Sequence, residues 1–137
     1  MTSGYSGTPL FKKLGIKEGF KIYVKNRPDN YGDLVAPLPA KVKIVSRLTN
    51  ELDMIHLFTK SRKELNRLIP DYAQRIKQNG MIWISWPKKA SKVATDVTED
   101  VLRADLLPDG YLVDVKVCAV DATWSALKFV IRKEKRS

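Results

Sequence analysis

The stretch from Gly80 to Pro87 constrains this chain more than any other. Met81-Ile-Trp-Ile-Ser-Trp86 is a continuous apolar run broken only by Ser85, short, aromatic, and bounded by a glycine and a proline. Such a run suits a strand buried on both faces better than a helix. A basic loop bearing hydroxyls follows it, Lys88-Lys-Ala-Ser-Lys-Val-Ala-Thr95, and leads straight into a helix start. In an open α/β sheet the loop after a central strand is where ligands usually sit.

The rest of the chain alternates between strand and helix periods. Thr8-Pro9 opens a short helix, with Thr8 as N-cap and Pro9 at the first helical position. Leu10, Phe11 and Leu14 form its stripe and Gly15 its stop. Residues 20–26 alternate as a strand, residues 31–38 predict a short helix interrupted by Pro37, and residues 42–48 read as an edge strand. Residues 52–58, apolar apart from Asp53 and His56, read as a central strand. Leu65, Leu68, Ile69, Tyr72 and Ile76 fall on one helical face. Pro70 inside that pattern predicts a kink or a second helix. Asp96-Val-Thr-Glu99 has the form of a capping box, so Asp96 is expected to open the next helix. Residues 112–120 and 125–132 are two further strands, β-branched and joined by a short connection.

This order predicts an α/β three-layer, Rossmann-like fold, with a mostly parallel sheet of about six strands and a closing antiparallel strand. No repeat or linker interrupts it, so one domain is expected over residues 1–137, with a mobile tail at 1–7 and a solvated tail at 133–137. The architecture resembles a truncated methyltransferase-type Rossmann fold. In that family the first strand runs into a glycine-rich turn that lets the cofactor approach the backbone. Here the turn is Val24-Lys-Asn-Arg-Pro28, with no glycine before Gly32. An S-adenosylmethionine site of the usual kind is therefore not expected, and no cofactor is assigned.

Three motifs carry a closer likeness. Gly4-Tyr-Ser-Gly-Thr-Pro-Leu10, Pro87-Lys-Lys-Ala-Ser-Lys-Val-Ala-Thr-Asp-Val-Thr-Glu-Asp100 and Asp114-Val-Lys-Val-Cys-Ala-Val-Asp-Ala-Thr-Trp-Ser-Ala-Leu127 resemble an uncharacterised bacterial family, the domain of unknown function three-zero-five-two. The resemblance implies a small stand-alone bacterial protein and brings no activity with it.

Motifs of the common enzyme classes are absent: there is no phosphate-binding Gly-x-x-x-x-Gly-Lys loop, no Gly-x-Ser-x-Gly elbow and no His-Glu-x-x-His helix. One His and one Cys fall short of a structural zinc set, and one cysteine makes no internal disulfide. That cysteine usage, no apolar run of membrane-spanning length and no signal-peptide pattern predict a cytoplasmic protein. His56, between Ile55 and Leu57, is expected to be a buried structural histidine, and Cys118 a buried thiol.

Charge carries the functional expectation. The net charge is +10, with 25 Lys+Arg against 15 Asp+Glu, which favours anionic partners. If the strands ending near Asn26, Thr59 and Trp86 run parallel, their loops share one edge of the sheet. That edge would carry Arg27, Lys60, Arg62, Lys63, Lys88, Lys89 and Lys92, with hydroxyls from Thr59, Ser61, Ser91 and Thr95 and an apolar wall from Trp86. Lys60, Arg62 and Lys63 precede or open a helix, where cations oppose the dipole and a bound anion would relieve them. The expectation is a small module, more a binder than an enzyme, that takes a phosphate or nucleotide at this edge. The alternatives are an enzyme of methyltransferase-like descent with a degenerate cofactor site, and a nucleic-acid-binding protein.

Overall fold

In the computed structural model, which describes residues 7–137, six strands form one sheet in the order β2-β1-β3-β4-β6-β5. The elements run α1 (Leu10–Leu14), β1 (Lys21–Lys25), α2 (Tyr31–Val35), β2 (Lys43–Val45), β3 (Leu52–Phe58), α3 (Arg62–Arg75), β4 (Ile76–Pro87), α4 (Glu99–Leu106), β5 (Leu112–Ala119) and β6 (Trp124–Ile131). β2, β1, β3 and β4 are parallel neighbours. β6 enters antiparallel between β4 and β5, so it alone opposes the others. The expected mostly parallel sheet with a closing antiparallel strand is what the chain forms.

Alternation along β3 and β4 builds two cores. Ile55 and Leu57 with Ile82, Ile84 and Trp86 face α3 and α4, which contribute Leu65, Ile69, Tyr72, Leu102 and Leu106. Met54 and Phe58 with Met81 and Trp83 face the other way, under Leu10 and Leu14 of α1 and Tyr31 and Val35 of α2. Both strands are buried on both faces, as the continuous apolar run requires.

Polar atoms caught in that interior find partners. Trp83 Nε1 donates to the Leu14 carbonyl at 2.9 Å, closing the end of α1 beside Gly15. Gly15 sits at φ 79°, the left-handed stop expected of it. The expected core histidine is buried: His56 meets Tyr31 Oη through Nδ1 at 2.9 Å and Ser85 Oγ through Nε2 at 2.7 Å. Its ring also stacks on Phe58, with centroids 4.2 Å apart.

Several boundaries differ from expectation. Thr8 gives no cap bond, and α1 starts at Leu10. α3 is one continuous helix with Pro70 inside it. Ile76 leaves the helical stripe and opens β4, which therefore begins five residues before the apolar run; its exposed residues Lys77, Gln78 and Asn79 lie beside a register shift in β3 between Leu52 and Met54. Of the tail read over residues 1–7, only Gly7 lies within the described residues. The last residues fold back, with Arg136 Nε donating to Ile131 O and the Ser137 amide to Gln78 Oε1. No helix among the described residues is long and apolar enough to cross a membrane.

Burial holds the His56 imidazole down at about 3, well below its ordinary 6.5. Folded protein thus binds fewer protons here than unfolded protein, so this contribution is full above pH 6.5 and is lost as pH falls towards 3. Urea unfolding should register a loss of about 2 kcal/mol between pH 7 and pH 5 that His56→Gln abolishes, whatever that variant's stability at pH 7.

Candidate functional site

Parallel order brings the ends of β1, β3 and β4 to one edge, and antiparallel β6 delivers its first residue, Trp124, to the same edge. Two cavities open there, each of about 520 Å³. The first is lined by Asn26, Phe58, Thr59, Lys60, Ser61, Glu64 and Trp124. The second lies against the β4–α4 loop, lined by Trp86, Pro87, Lys88, Lys89, Lys92, Thr95 and their neighbours up to Glu99. The structure thus divides the expected three-loop site in two.

The first cavity is organised around the start of α3. Ser61 is the N-cap, its Oγ accepting from the Glu64 amide at 3.1 Å. Glu64 Oε1 accepts from Thr59 Oγ1 at 2.7 Å and from Asn26 Nδ2 at 3.1 Å. Asn26 Nδ2 also donates to Phe58 O at 2.8 Å, tying β1 to β3. Its backbone is left-handed, φ 59°, which asparagine tolerates better than most residues. Phe58 and Trp124 meet edge to face at 5.1 Å beside this polar cluster.

Asp96 does not cap its own helix. Thr98 does, accepting from the Val101 amide, while Asp96 Oδ1 accepts from the Arg62 amide at 2.7 Å, across to the N-terminus of α3. Lys60 O accepts from Thr95 Oγ1 at 2.8 Å and from the Asp96 amide at 3.3 Å, so the two loops are laced together. The positive end of α3 therefore has an anion already, supplied by the chain. The dipole argument for a bound anion at this helix is met from within.

The remaining sequence candidates are placed as follows. The Arg62 guanidinium forks onto Asp105, with both bonds at 2.7 Å, and Asn66 adds a third bond to the same carboxylate. Those bonds hold the Asp105 carboxyl below its usual range. Ser91 Oγ donates to Lys88 O at 2.6 Å and accepts from the Val93 amide, shaping the turn that Lys92 ends at φ 62°. Thr95 Oγ1 is likewise taken by Lys60 O and the Val97 amide. Arg27 and Lys63 line neither cavity, and the Arg27 charge acts on Tyr31. Lys88, Lys89 and Lys92 form no ion pair among the described residues, although they surround a wall of Trp86, Pro87 and Val97. The carboxylate in that cavity, Glu99, is held by Arg103.

Asn26, Glu64 and Trp124 were not among the sequence candidates. Ser61-Arg-Lys-Glu64 is itself a capping-box pattern that would have found Glu64. Asn26 and Trp124 carry no local signal; strand order alone brings them together.

No family model and no curated protein matches the chain, so membership of the uncharacterised bacterial family is not shown. Solved structures do match in shape. A SAM-dependent methyltransferase from Aquifex aeolicus is 13% identical over 90% of this chain and 88% of its own, with TM-score 0.62. Magnesium protoporphyrin IX methyltransferase from Synechocystis PCC 6803, solved with bound SAM, is 10% identical over 90% and 75%, TM-score 0.57. Fibrillarin from Aeropyrum pernix, in complex with S-adenosyl-L-methionine, is 13% identical over 93% and 70%, TM-score 0.55. The chain shares their α/β Rossmann-like fold.

The residues at the exit of β1 do not suit an adenosyl cofactor seated close on the backbone. The turn has no glycine, and the Asn26 side chain crosses it to Phe58 O and Glu64. Gly32, the first glycine after β1, already lies inside α2.

Asp96→Ala should cost about 1 kcal/mol, as loss of a helix cap does, and Asp96→Asn should recover most of it. Equilibrium urea unfolding of the two variants checks this, and α4 should keep its own cap in both.

Proposed function

We propose that this protein binds a small ligand with an anionic group and an apolar body, such as a nucleotide, in the cavity of the β4–α4 loop. The observation that carries the reading is the set of three lysines without ion-pair partners among the described residues, Lys88, Lys89 and Lys92, around an apolar wall that includes Trp86. Cations of this kind attract phosphate as point charges, and an indole beside them offers a surface for the rest of the ligand. Trp86 is 7% exposed, so it serves as an edge of the wall and not as an open stacking platform. Ser91 and Thr95 are engaged by the backbone, so they act on the ligand only by fixing the loop that carries the lysines.

Position on the sheet favours the same place. Ligands of open α/β sheets gather outside the carboxyl ends of the strands, and the β4–α4 loop leaves from there. The loop is also held in place: the Lys88 amide donates to Thr123 O at 2.7 Å, and Thr95 and Asp96 reach Lys60. A held loop presents its charges without a large ordering cost on binding.

A second reading is an enzyme of methyltransferase-like descent whose cofactor site has changed. It rests on the fold shared with SAM-dependent enzymes, and its place would be the first cavity, at the ends of β1 and β3. Asn26 in the turn after β1 weighs against it.

Lys88→Ala/Lys89→Ala tests the first reading. Two exposed-loop changes should move stability by no more than about 0.5 kcal/mol per site. The same double variant should weaken binding of an adenine or guanine nucleotide by about 1–3 kcal/mol per lost charge-assisted bond, read by calorimetry. Large destabilisation with unaltered affinity would make these lysines structural. Thermal stabilisation by S-adenosylmethionine alone, unmoved by the double variant, would favour the second reading. Tight binding of random duplex DNA with a steep salt dependence would overturn both.

A further inference from the structure

A second group of lysines lies at the opposite edge of the sheet. There the amino ends of β1, β3 and β4 meet the residues after α1, around a cavity of about 260 Å³ lined by Gly15, Lys17, Phe20, Asp53, Asn79, Met81 and Lys128. Lys128 lies on β6 directly across from Lys116 of β5, a cross-strand pair of like charges. Such pairs are destabilising where nothing intervenes. Lys17 lines the same cavity as Lys128, and none of these three lysines is ion-paired among the described residues.

Lys128 is the unusual member. Its side chain rises from a strand whose neighbours Leu127 and Phe129 are fully buried, and it is itself partly buried. Burial, then the charges of Lys116 and Lys17, pull its pKa below the ordinary lysine value. The carboxylate lining the cavity, Asp53, gives it no relief. Asp53 accepts from the Lys21 amide at 2.8 Å and pairs with Lys77 at 3.0 Å. Three cations without an ion pair among the described residues, one of them drawn partly out of water, form a locally unfavourable arrangement in the free protein. An oxyanion beside Lys128 would offset it, because an ammonium that reaches the anion gains a charge-assisted hydrogen bond.

We propose that Lys128, Lys116 and Lys17 form a second anion site, selective for a compact phosphate group, free or as a phosphomonoester, at the amino edge of the sheet. It is separate from the β4–α4 cavity and does not depend on it. The small volume, with Lys17 and Lys128 in its lining and Lys116 one strand away, favours a single dianionic group over an extended polymer.

The test uses the full chain carrying Lys88→Ala and Lys89→Ala, so that phosphate taken up at the other edge does not contribute. Inorganic phosphate is titrated against chloride at matched ionic strength, following the melting temperature and the side-chain NMR signals of Lys17, Lys116 and Lys128. A saturable rise of about 2 °C or more is expected, together with movement of all three lysine signals. Adding Lys128→Met, which keeps most of the apolar stem, should weaken phosphate binding at least about tenfold and leave the phosphate-free protein no less stable. An equal response in the Lys128→Met protein overturns the proposal, as does an equal response to chloride. Where Lys128→Met fails to fold, lysine signals that stay still on adding phosphate to the parent protein decide against it. Movement driven only by duplex DNA, with no effect of free phosphate, overturns it also.

Discussion

Burying both faces of β3 and β4 is the condition on which the rest of this structure depends. A strand with no wet face forces every polar atom along it to find a partner inside. His56 and Ser85 satisfy one another across the strand pair, and the ring of His56 reaches Tyr31 of α2. Trp83 reaches the last carbonyl of α1. Both helices have five residues, too few to hold without tertiary support. Those two hydrogen bonds and the apolar side chains beside them place α1 and α2 on the sheet. The layer over that face is thus positioned by the polar residues of the strands it covers.

The carboxyl edge obeys a different economy. Its loops are held by side chains that bond to backbone: Asn26 to Phe58, Thr95 to Lys60, Ser61 to Glu64 and Asp96 to Arg62. Hydroxyls and amides that could have met a ligand are thereby engaged, and Arg62 is held by Asp105. Among the described residues, what this edge leaves without an ion pair is mostly lysine. Lysine recognises charge with little directional demand, so the site proposed here would select for anionic character and apolar fit more than for a pattern of donors and acceptors.

The sheet was legible in the sequence because period-two alternation and a both-faces-apolar run are properties of a strand by itself. The central places of residues 52–58 and 81–86, the edge at Lys43–Val45 and the buried histidine all follow from such patterns, whereas the strand order does not. Ile76 fits the helical stripe because a single apolar residue at the right spacing suits either element; the exposed Lys77-Gln-Asn79 segment that extends β4 has no period at all. Asp96 departs from its expected role for a more general reason. A capping-box pattern identifies an acid near a helix start, but not which helix, and Thr98 lay two residues nearer its own. One site became two cavities because parallel order says which loops share an edge, and says nothing of how side chains divide the space along it.

The turn after β1 brings these threads together. A glycine at position 26 would adopt φ 59° at no steric cost and leave the backbone open. Asparagine adopts it at some cost, offset by hydrogen bonds to Phe58 O and to Glu64, which in turn accepts from Thr59. Removing the side chain would therefore open the turn only with loss of the tie to Phe58 at the end of the β1–β3 ladder and of one of the two bonds that hold Glu64 in the first turn of α3. The closed turn and the cap of that helix are one hydrogen-bonded assembly. A chain that shares the methyltransferase-like fold but ties this turn down through Asn26 keeps a cavity beside it whose polar groups are already engaged with one another, whereas Lys88, Lys89 and Lys92, without ion-pair partners among the described residues, stand at the exit of β4.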